Sequence, residues 1–225
     1  MDKVADGVYQ ISGTANSFVV DGDEGVTLID TGTPNRQGVV VEALENIGRS
    51  AKDIRSILLT HAHWDHFGSA AALWAASSAG VYASHDDAAV IRGDRRAEPP
   101  PMLDRVPFVD ILLKLMPNAD PLEVDNIVAE GYAQTMPADF SVVDTPGHTV
   151  GHLSYRLDRA GGIVFVGDAA VGSKGEIKRG IMNRSTPKID ASIGHLAEFE
   201  FQMACFGHSG PIKVGASAAF QRFKG

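Results

Sequence analysis

THAHWDHFG, residues 60–68, decides how the rest of the chain is read. It places His61, His63, Asp65 and His66 within six positions, directly after the apolar run Ile57, Leu58, Leu59. That run predicts a strand over 54–60, and a strand sends alternate side chains to one face, so His61 and His63 point the same way. Asp65 and His66 follow where the chain turns. Four such groups packed together without a cation would leave polar atoms unsatisfied and make the carboxylate hard to ionise. Imidazole and carboxylate are also the donors a borderline divalent ion prefers. The stretch is a candidate metal site.

Three later turns carry the same residue types. His148 in TPGHT follows an apolar strand over 140–144, with Pro146 and Gly147 setting a tight turn. Asp168 in VFVGD ends a strand over 163–166, and His208 in CFGHSGP follows one over 203–206. A sheet scaffold presents reactive groups to a common edge in this way.

Around these positions strands and helices alternate. Strands are expected over 8–12, 17–21 and 26–30, the last two joined by a polar turn through Gly22, Asp23, Glu24 and Gly25. That pattern is a hairpin signal, and the hairpin is expected at a sheet edge. Val40, Leu44 and Ile47 share one face of a predicted helix over 39–47, which Gly48 closes. Further helices are expected over 69–79, 86–91, 189–196 and 216–223, and further strands over 81–84 and 152–157. Hairpins followed by interleaved strands and helices indicate an α/β (α+β) chain with mixed sheets and helices outside.

Residues 93–137 interrupt the rhythm. They open with Arg95, Arg96 and Pro99, Pro100, Pro101, then carry an apolar segment over 106–116 and an amphipathic one over 121–132. The stretch reads as a helical insertion, either a cover for the site or a packing or dimer contact, so a homodimer stays open. With 225 residues, a single domain carrying this insertion is the expectation.

A formal net charge of -8 argues against nucleic acid as a partner, because neutralising phosphates needs clustered Lys and Arg. Cys205 is the one cysteine, which excludes an internal disulfide and suits a reducing compartment. No apolar run reaches bilayer length, and the opening MDKVADGVYQISG lacks a signal core, so a cytoplasmic protein without membrane contact is expected.

Taken together, HxHxDH at 61–66, GH at 148, GD at 168 and GH at 208 resemble the metallo-β-lactamase superfamily, in order and spacing, over nearly the whole chain. The resemblance implies a four-layer αββα sandwich with a two-metal site at one edge. Carried over by position, His61, His63 and His148 hold the first ion, Asp65, His66 and His208 the second, and Asp168 bridges them. The cofactors implied are two divalent ions, zinc first, with iron or manganese suited to the same donors. A water shared by the ions becomes hydroxide near neutral pH, with Asp65 placed to orient it or take its proton. The implied activity is hydrolysis of an ester, lactone, thioester or amide of a small molecule. A mononuclear iron thiol or persulfide dioxygenase and a non-catalytic metal-binding domain are the alternatives.

Departures narrow the branch. In β-lactamases proper the position of Asp168 is generally cysteine or serine, so the aspartate is more similar to the glyoxalase II, lactonase and phosphodiesterase branches. Diiron flavoproteins carry glutamate at the position of His63. Glyoxalase II usually has a helical C-terminal extension for glutathione, whereas 17 residues follow His208 here (225 minus 208), so a standard glutathione site is not expected. Quorum-signal lactonases often carry a tyrosine shortly after the bridging aspartate, where this chain has Ala169, Ala170, Val171 and Gly172.

Other residues have weaker signals. His152 is read either as orienting a ligand or as a packed strand residue. His85 and His195 are read as structural. Lys174, Lys178, Arg179 and Arg184 are read as surface charges on a Gly-rich loop, with one of them binding a substrate carboxylate as the alternative, Asn183 as a candidate oxyanion donor, and Cys205 as buried and inert.

Overall fold

Two sheets stand face to face in the computed structural model, which describes residues 1–97, 118–131 and 136–225. The first sheet runs in sequence order through β1 (Asp2–Ala5), β2 (Val8–Ile11), β3 (Ser17–Gly22), β4 (Gly25–Ile29), β5 (Ile54–Leu58), β6 (Gly80–Ala83) and β7 (Asn126–Ile127). Its first four strands form an antiparallel meander and the rest run parallel to β4. The second contains β8 (Phe140–Asp144), β9 (Leu153–Leu157) and β10 (Ile163–Phe165), antiparallel in turn. The hairpin β11 (Ala170–Ser173) and β12 (Glu176–Arg179) follows, and β13 (Met203–Cys205) then lies parallel to β10.

Strand alternation builds three apolar layers. Phe18, Val20, Ile29 and Leu58 turn inward against Phe140, Val142, Tyr155 and Phe165, so the sheets share one core. Their neighbours Val19, Leu28 and Ile57 face outward onto Val40 and Leu44 of α1 (Gln37–Glu45) and Leu73 of α3 (Ala70–Ser77), which follows the single turn α2 (Trp64–Phe67). Ile91 of α4 (His85–Ile91) completes that layer. On the far side Val143, Val164 and Ala204 face Ile189, Ile193 and Leu196 of α5 (Thr186–Leu196) and Phe220 of α6 (Ala216–Gln221). Side chains one residue apart serve different cores because the strand period is two. This is the αββα sandwich.

Three expectations are corrected. The β3–β4 hairpin lies inside its sheet, because β1 and β2 pair outboard of it through Tyr9↔Lys3 and Tyr9↔Val19. The Gly-rich stretch after Asp168 is the β11–β12 hairpin, turned at Lys174 and Gly175, both with positive φ. Of the insertion at 93–137, residues 118–131 run without a helix and contribute β7, which parallels β6, so the described part extends the sheet. The remainder, 98–117 and 132–135, lies outside the described residues, as does the choice between cover and dimer contact. Among the described residues no helix is long and apolar enough to cross a membrane.

Candidate metal centre

Five of the seven predicted ligands stand just past the C-terminal end of a strand, and all these ends open on one rim. His61 and His63 follow β5, His148 follows β8, Asp168 follows β10 and His208 follows β13. His63 is the N-cap of α2, so the helix carries Asp65 and His66 back over the same rim. The structure brings all seven residues together. Ligand atoms of His61, His63 and His148 lie within 4.8 Å of one another, as do those of His61, His66 and Asp168, and those of Asp65, His66 and His208.

In the first group ring nitrogens face ring nitrogens. His63 Nδ1 lies 3.0 Å from His61 Nε2 and 2.9 Å from His148 Nε2. The opposite nitrogens of two of these rings are held. His61 Nδ1 donates to Thr60 Oγ1, 3.1 Å away, and His148 Nδ1 donates to Asn183 Oδ1 at 3.3 Å. Both Nε2 atoms therefore present lone pairs inward. Burial, helped by neighbouring imidazoles, holds His61 well below the ordinary value and His63 at about 3, while burial lowers His148. Three neutral imidazoles with convergent lone pairs repel one another unless a cation stands between them.

The second group is built around carboxylates. His66 Nδ1 donates to Asp30 Oδ2 at 2.8 Å and turns Nε2 toward His208 Nε2 at 3.4 Å. His208 Nδ1 donates to Thr14 O at 2.7 Å, and its Nε2 lies 3.5 Å from Asp65 Oδ2. Burial opposes a charge on His66, yet Asp168 and Asp30 carry it well above the usual imidazole value. The Asp168 contact raises His208 as well.

Asp168 lies between the two groups. Its Oδ2 is 3.1 Å from His208 Nε2 and 3.5 Å from His148 Nε2, and its Oδ1 is 3.4 Å from His66 Nε2. Oδ1 is buried and has no hydrogen-bond partner among the described residues. A buried carboxylate oxygen without a donor is costly, and a cation removes that cost. The donor set, the converging lone pairs and this orphaned oxygen together fit bound divalent ions.

Several supporting residues were not legible as such. Asp30 has φ 55 at the end of β4, and its carboxylate accepts from Thr60 N (2.8 Å), Thr60 Oγ1 (2.7 Å) and the His66 ring. Its signal was available: like the ligands, it closes an apolar strand run. His152, undecided from sequence, orients the site. Its Nε2 accepts from the Asp168 amide at 3.0 Å, and its Nδ1 donates to Thr145 Oγ1 at 2.8 Å. Burial keeps it neutral, as that role requires. Asn183 holds the His148 ring through its Oδ1, with its amide nitrogen donating to Gly180 O at 2.7 Å, so it orients that ring. Arg179 pairs with Asp190 at 2.6 and 2.9 Å. His85 is exposed, and Cys205 is buried with its thiol pushed upward, both as expected. A groove of about 650 Å³ leads away from His208, walled by Gln10, Ser12, Thr14 and Ser209.

Comparison with known proteins gives a family for the chain and likenesses of fold. Residues 12–200 match the family model described as the metallo-beta-lactamase superfamily. The probable metallo-hydrolase YflN of Bacillus subtilis is 30% identical over 64% of this chain and 55% of its own length. A hydroxyacylglutathione hydrolase of Bdellovibrio bacteriovorus is 31% identical over 54% of this chain and 36% of its own. The chain thus spans only about half of the YflN sequence. Among solved structures, a beta-lactamase from Chitinophaga pinensis superposes with a TM-score of 0.71 at 18% identity, covering 98% of this chain and 88% of that one. A metallo-beta-lactamase family protein of Thermus thermophilus gives 0.70 at 24% identity, covering 97% and 78%. At such identities the likeness is one of fold. With the family model matched along most of its length, the chain belongs to the metallo-beta-lactamase superfamily.

Proposed function

We propose that the protein is a dinuclear metal hydrolase that cleaves a thioester, lactone, ester or amide of a small molecule. The observation that carries this reading is Asp168: a buried carboxylate set between the two groups, its Oδ1 facing His66 at 3.4 Å and without a hydrogen-bond partner among the described residues. His61, His63 and His148 would hold one ion, Asp65, His66 and His208 the other, and Asp168 would bridge them. Ions so held supply Lewis acidity, polarising a carbonyl and lowering the pKa of a water. Zinc is the first candidate for this nitrogen and oxygen set, and iron and manganese suit it too.

The chain's own side chains do the rest. Asp65 is partly exposed at the rim, 3.5 Å from His208, where its carboxylate can orient a water and accept its proton. Asp30, His152 and Asn183 fix three ligands, which limits reorganisation when substrate arrives. The groove beside His208 gives a polar leaving group a path out. An aspartate at 168 and the hydroxyacylglutathione hydrolases among the relatives favour thioesters and lactones over β-lactams.

The test is elemental analysis of purified protein together with a panel of thioesters, lactones, esters and β-lactams. About two metal ions per chain and turnover of a thioester or lactone are expected. A single iron with oxygen consumption on a thiol would replace the reading with a dioxygenase. Full metal loading with no turnover of any class would leave a metal-binding domain.

A further inference from the structure

Asp87 belongs to none of the ligand groups, yet at 4% exposure it is buried like His61, His66, His148 and Asp168. It sits in the first turn of α4, where Ser84 Oγ accepts from its amide at 3.2 Å. Its Oδ2 accepts two hydrogen bonds from different parts of the rim: Ala62 N at 3.1 Å and Thr149 Oγ1 at 2.9 Å. Ala62 lies between His61 and His63, and Thr149 follows His148. One carboxylate oxygen therefore joins the two segments that deliver the three imidazoles of the first group. Those segments come from different sheets. Deeper ties exist, from Leu153 N to Thr60 O (2.8 Å) and from Tyr155 Oη to Leu59 O (2.8 Å), but they join β9 to residues before His61 and do not hold the His148 turn itself.

Asp87 is a buried carboxyl that only feels Arg95 from a distance; burial outweighs that pull and its hydrogen bonds and drives it up to about 6, an expensive way to fill space. An apolar residue would pack there at lower cost, so packing does not account for it. We propose that Asp87 is a positioning residue that staples the His61–His63 segment to the His148 turn, holding the three imidazoles at ligand spacing before an ion arrives. This rests on the metal-centre reading above. It also predicts something that reading does not: a rim ordered by a side chain that never touches metal.

The test uses the full-length protein with Asp87→Ala, Asp87→Asn and Thr149→Val. Two quantities are read: hydrogen exchange of amides in residues 60–63 and 147–150 of metal-free protein, and zinc affinity by competition with a chromophoric chelator. Asp87→Ala should speed exchange at Ala62 and weaken zinc roughly 10- to 100-fold. Asp87→Asn keeps an acceptor oxygen and should stay near wild type, with Thr149→Val between. If Asp87→Ala does not fold, the Asn and Val variants carry the comparison, and zinc binding equal in Thr149→Val and wild type overturns the staple. Unchanged exchange and unchanged zinc affinity in Asp87→Ala would reduce Asp87 to a helix-capping acid. Wild-type protein that takes up no zinc, iron or manganese would sink the metal-centre reading itself, while the exchange measurement still decides the staple.

Discussion

Asp30 Oδ2 accepts a hydrogen bond from His66 Nδ1 at 2.8 Å, although the aspartate sits at the end of β4 and the histidine 36 residues later in α2. The same carboxylate also takes both donors of Thr60. Removing it strands three donors in a buried site, which costs about 3 kcal/mol by analogy with broken buried pairs. Asp30→Ala should lower the urea midpoint accordingly and lose metal from the Asp65, His66, His208 group first. Asp30→Asn tolerates the left-handed φ of 55 and should be milder in stability, but it offers a neutral acceptor to the His66 ring. Denaturant titration and metal content of the purified variants check both.

Gly207 separates Phe206 from His208, and a Cβ there would collide with Asp168 Oδ1 and lie 2.8 Å from His66 Cε1. Gly207→Ala should therefore displace the carboxylate between the two groups. A loss of at least tenfold in kcat/KM is expected with a stability cost of about 1–3 kcal/mol. Normal metal content and normal turnover in this variant would show that Asp168 has room that the packing denies.

His152 should act on the site by holding Asp168 and by packing beside the His61 ring, 5.1 Å away between centroids. Its ring accepts from the Asp168 amide and anchors a chain through Thr145 Oγ1 to Ser154 Oγ (3.0 Å) and on to Val166 O (3.2 Å). His152→Ala should reduce kcat roughly 10- to 100-fold with KM little changed. A rise in KM alone would point instead to substrate contact.

His195 of α5 is clasped by Glu130 Oε1 at 2.9 Å and Glu198 Oε2 at 3.1 Å. Burial pulls its pKa down, but hydrogen bonds to the two glutamates outweigh burial and leave it raised. Because the folded value exceeds the unfolded one, the clasp contributes fully below about pH 6.5 and fades as pH climbs through the folded value. The side chain is 34% exposed, so the contribution is under about 1 kcal/mol. Thermal unfolding of wild type and His195→Gln should differ at pH 5.5 and converge above pH 8.

The convergence of the seven candidate ligands and the layers were legible for one reason, and the supports were hidden for another. His61, His63, Asp65 and His66 crowd a single turn, and His148, Asp168 and His208 each follow an apolar run, so their types and placement announce themselves in one dimension. The strand alternation that sorts Val19 from Phe18 and Val143 from Val142 is likewise a local pattern. Asp87 carries no such local mark, and Asp30, although it too closes an apolar run, is not a histidine in a crowded motif. A lone aspartate ending a strand reads as a turn residue, and one in a first helical turn reads as a favourable dipole partner. Their partners lie 25 to 62 residues away, so only tertiary contact reveals them. The β11–β12 hairpin was missed because its glycines resemble a loop until pairing supplies the reason for them.

Thr14 O accepts from His208 Nδ1, and Asn16 Nδ2 reaches Phe206 O (2.9 Å) and Ser209 O (3.0 Å), so the turn between β2 and β3 grips the last ligand. The pair Thr14 and His208 is 194 residues apart. At the ~5–20 residues per second of ribosomal elongation, roughly 10 to 40 s separate the emergence of the two. During that interval the nascent chain already displays His61, His63 and His66 without their final companion. Closure of the cleft therefore waits until His208 has been made, and a polypeptide released before that point would carry a half-made donor set that the N-terminal grip cannot finish.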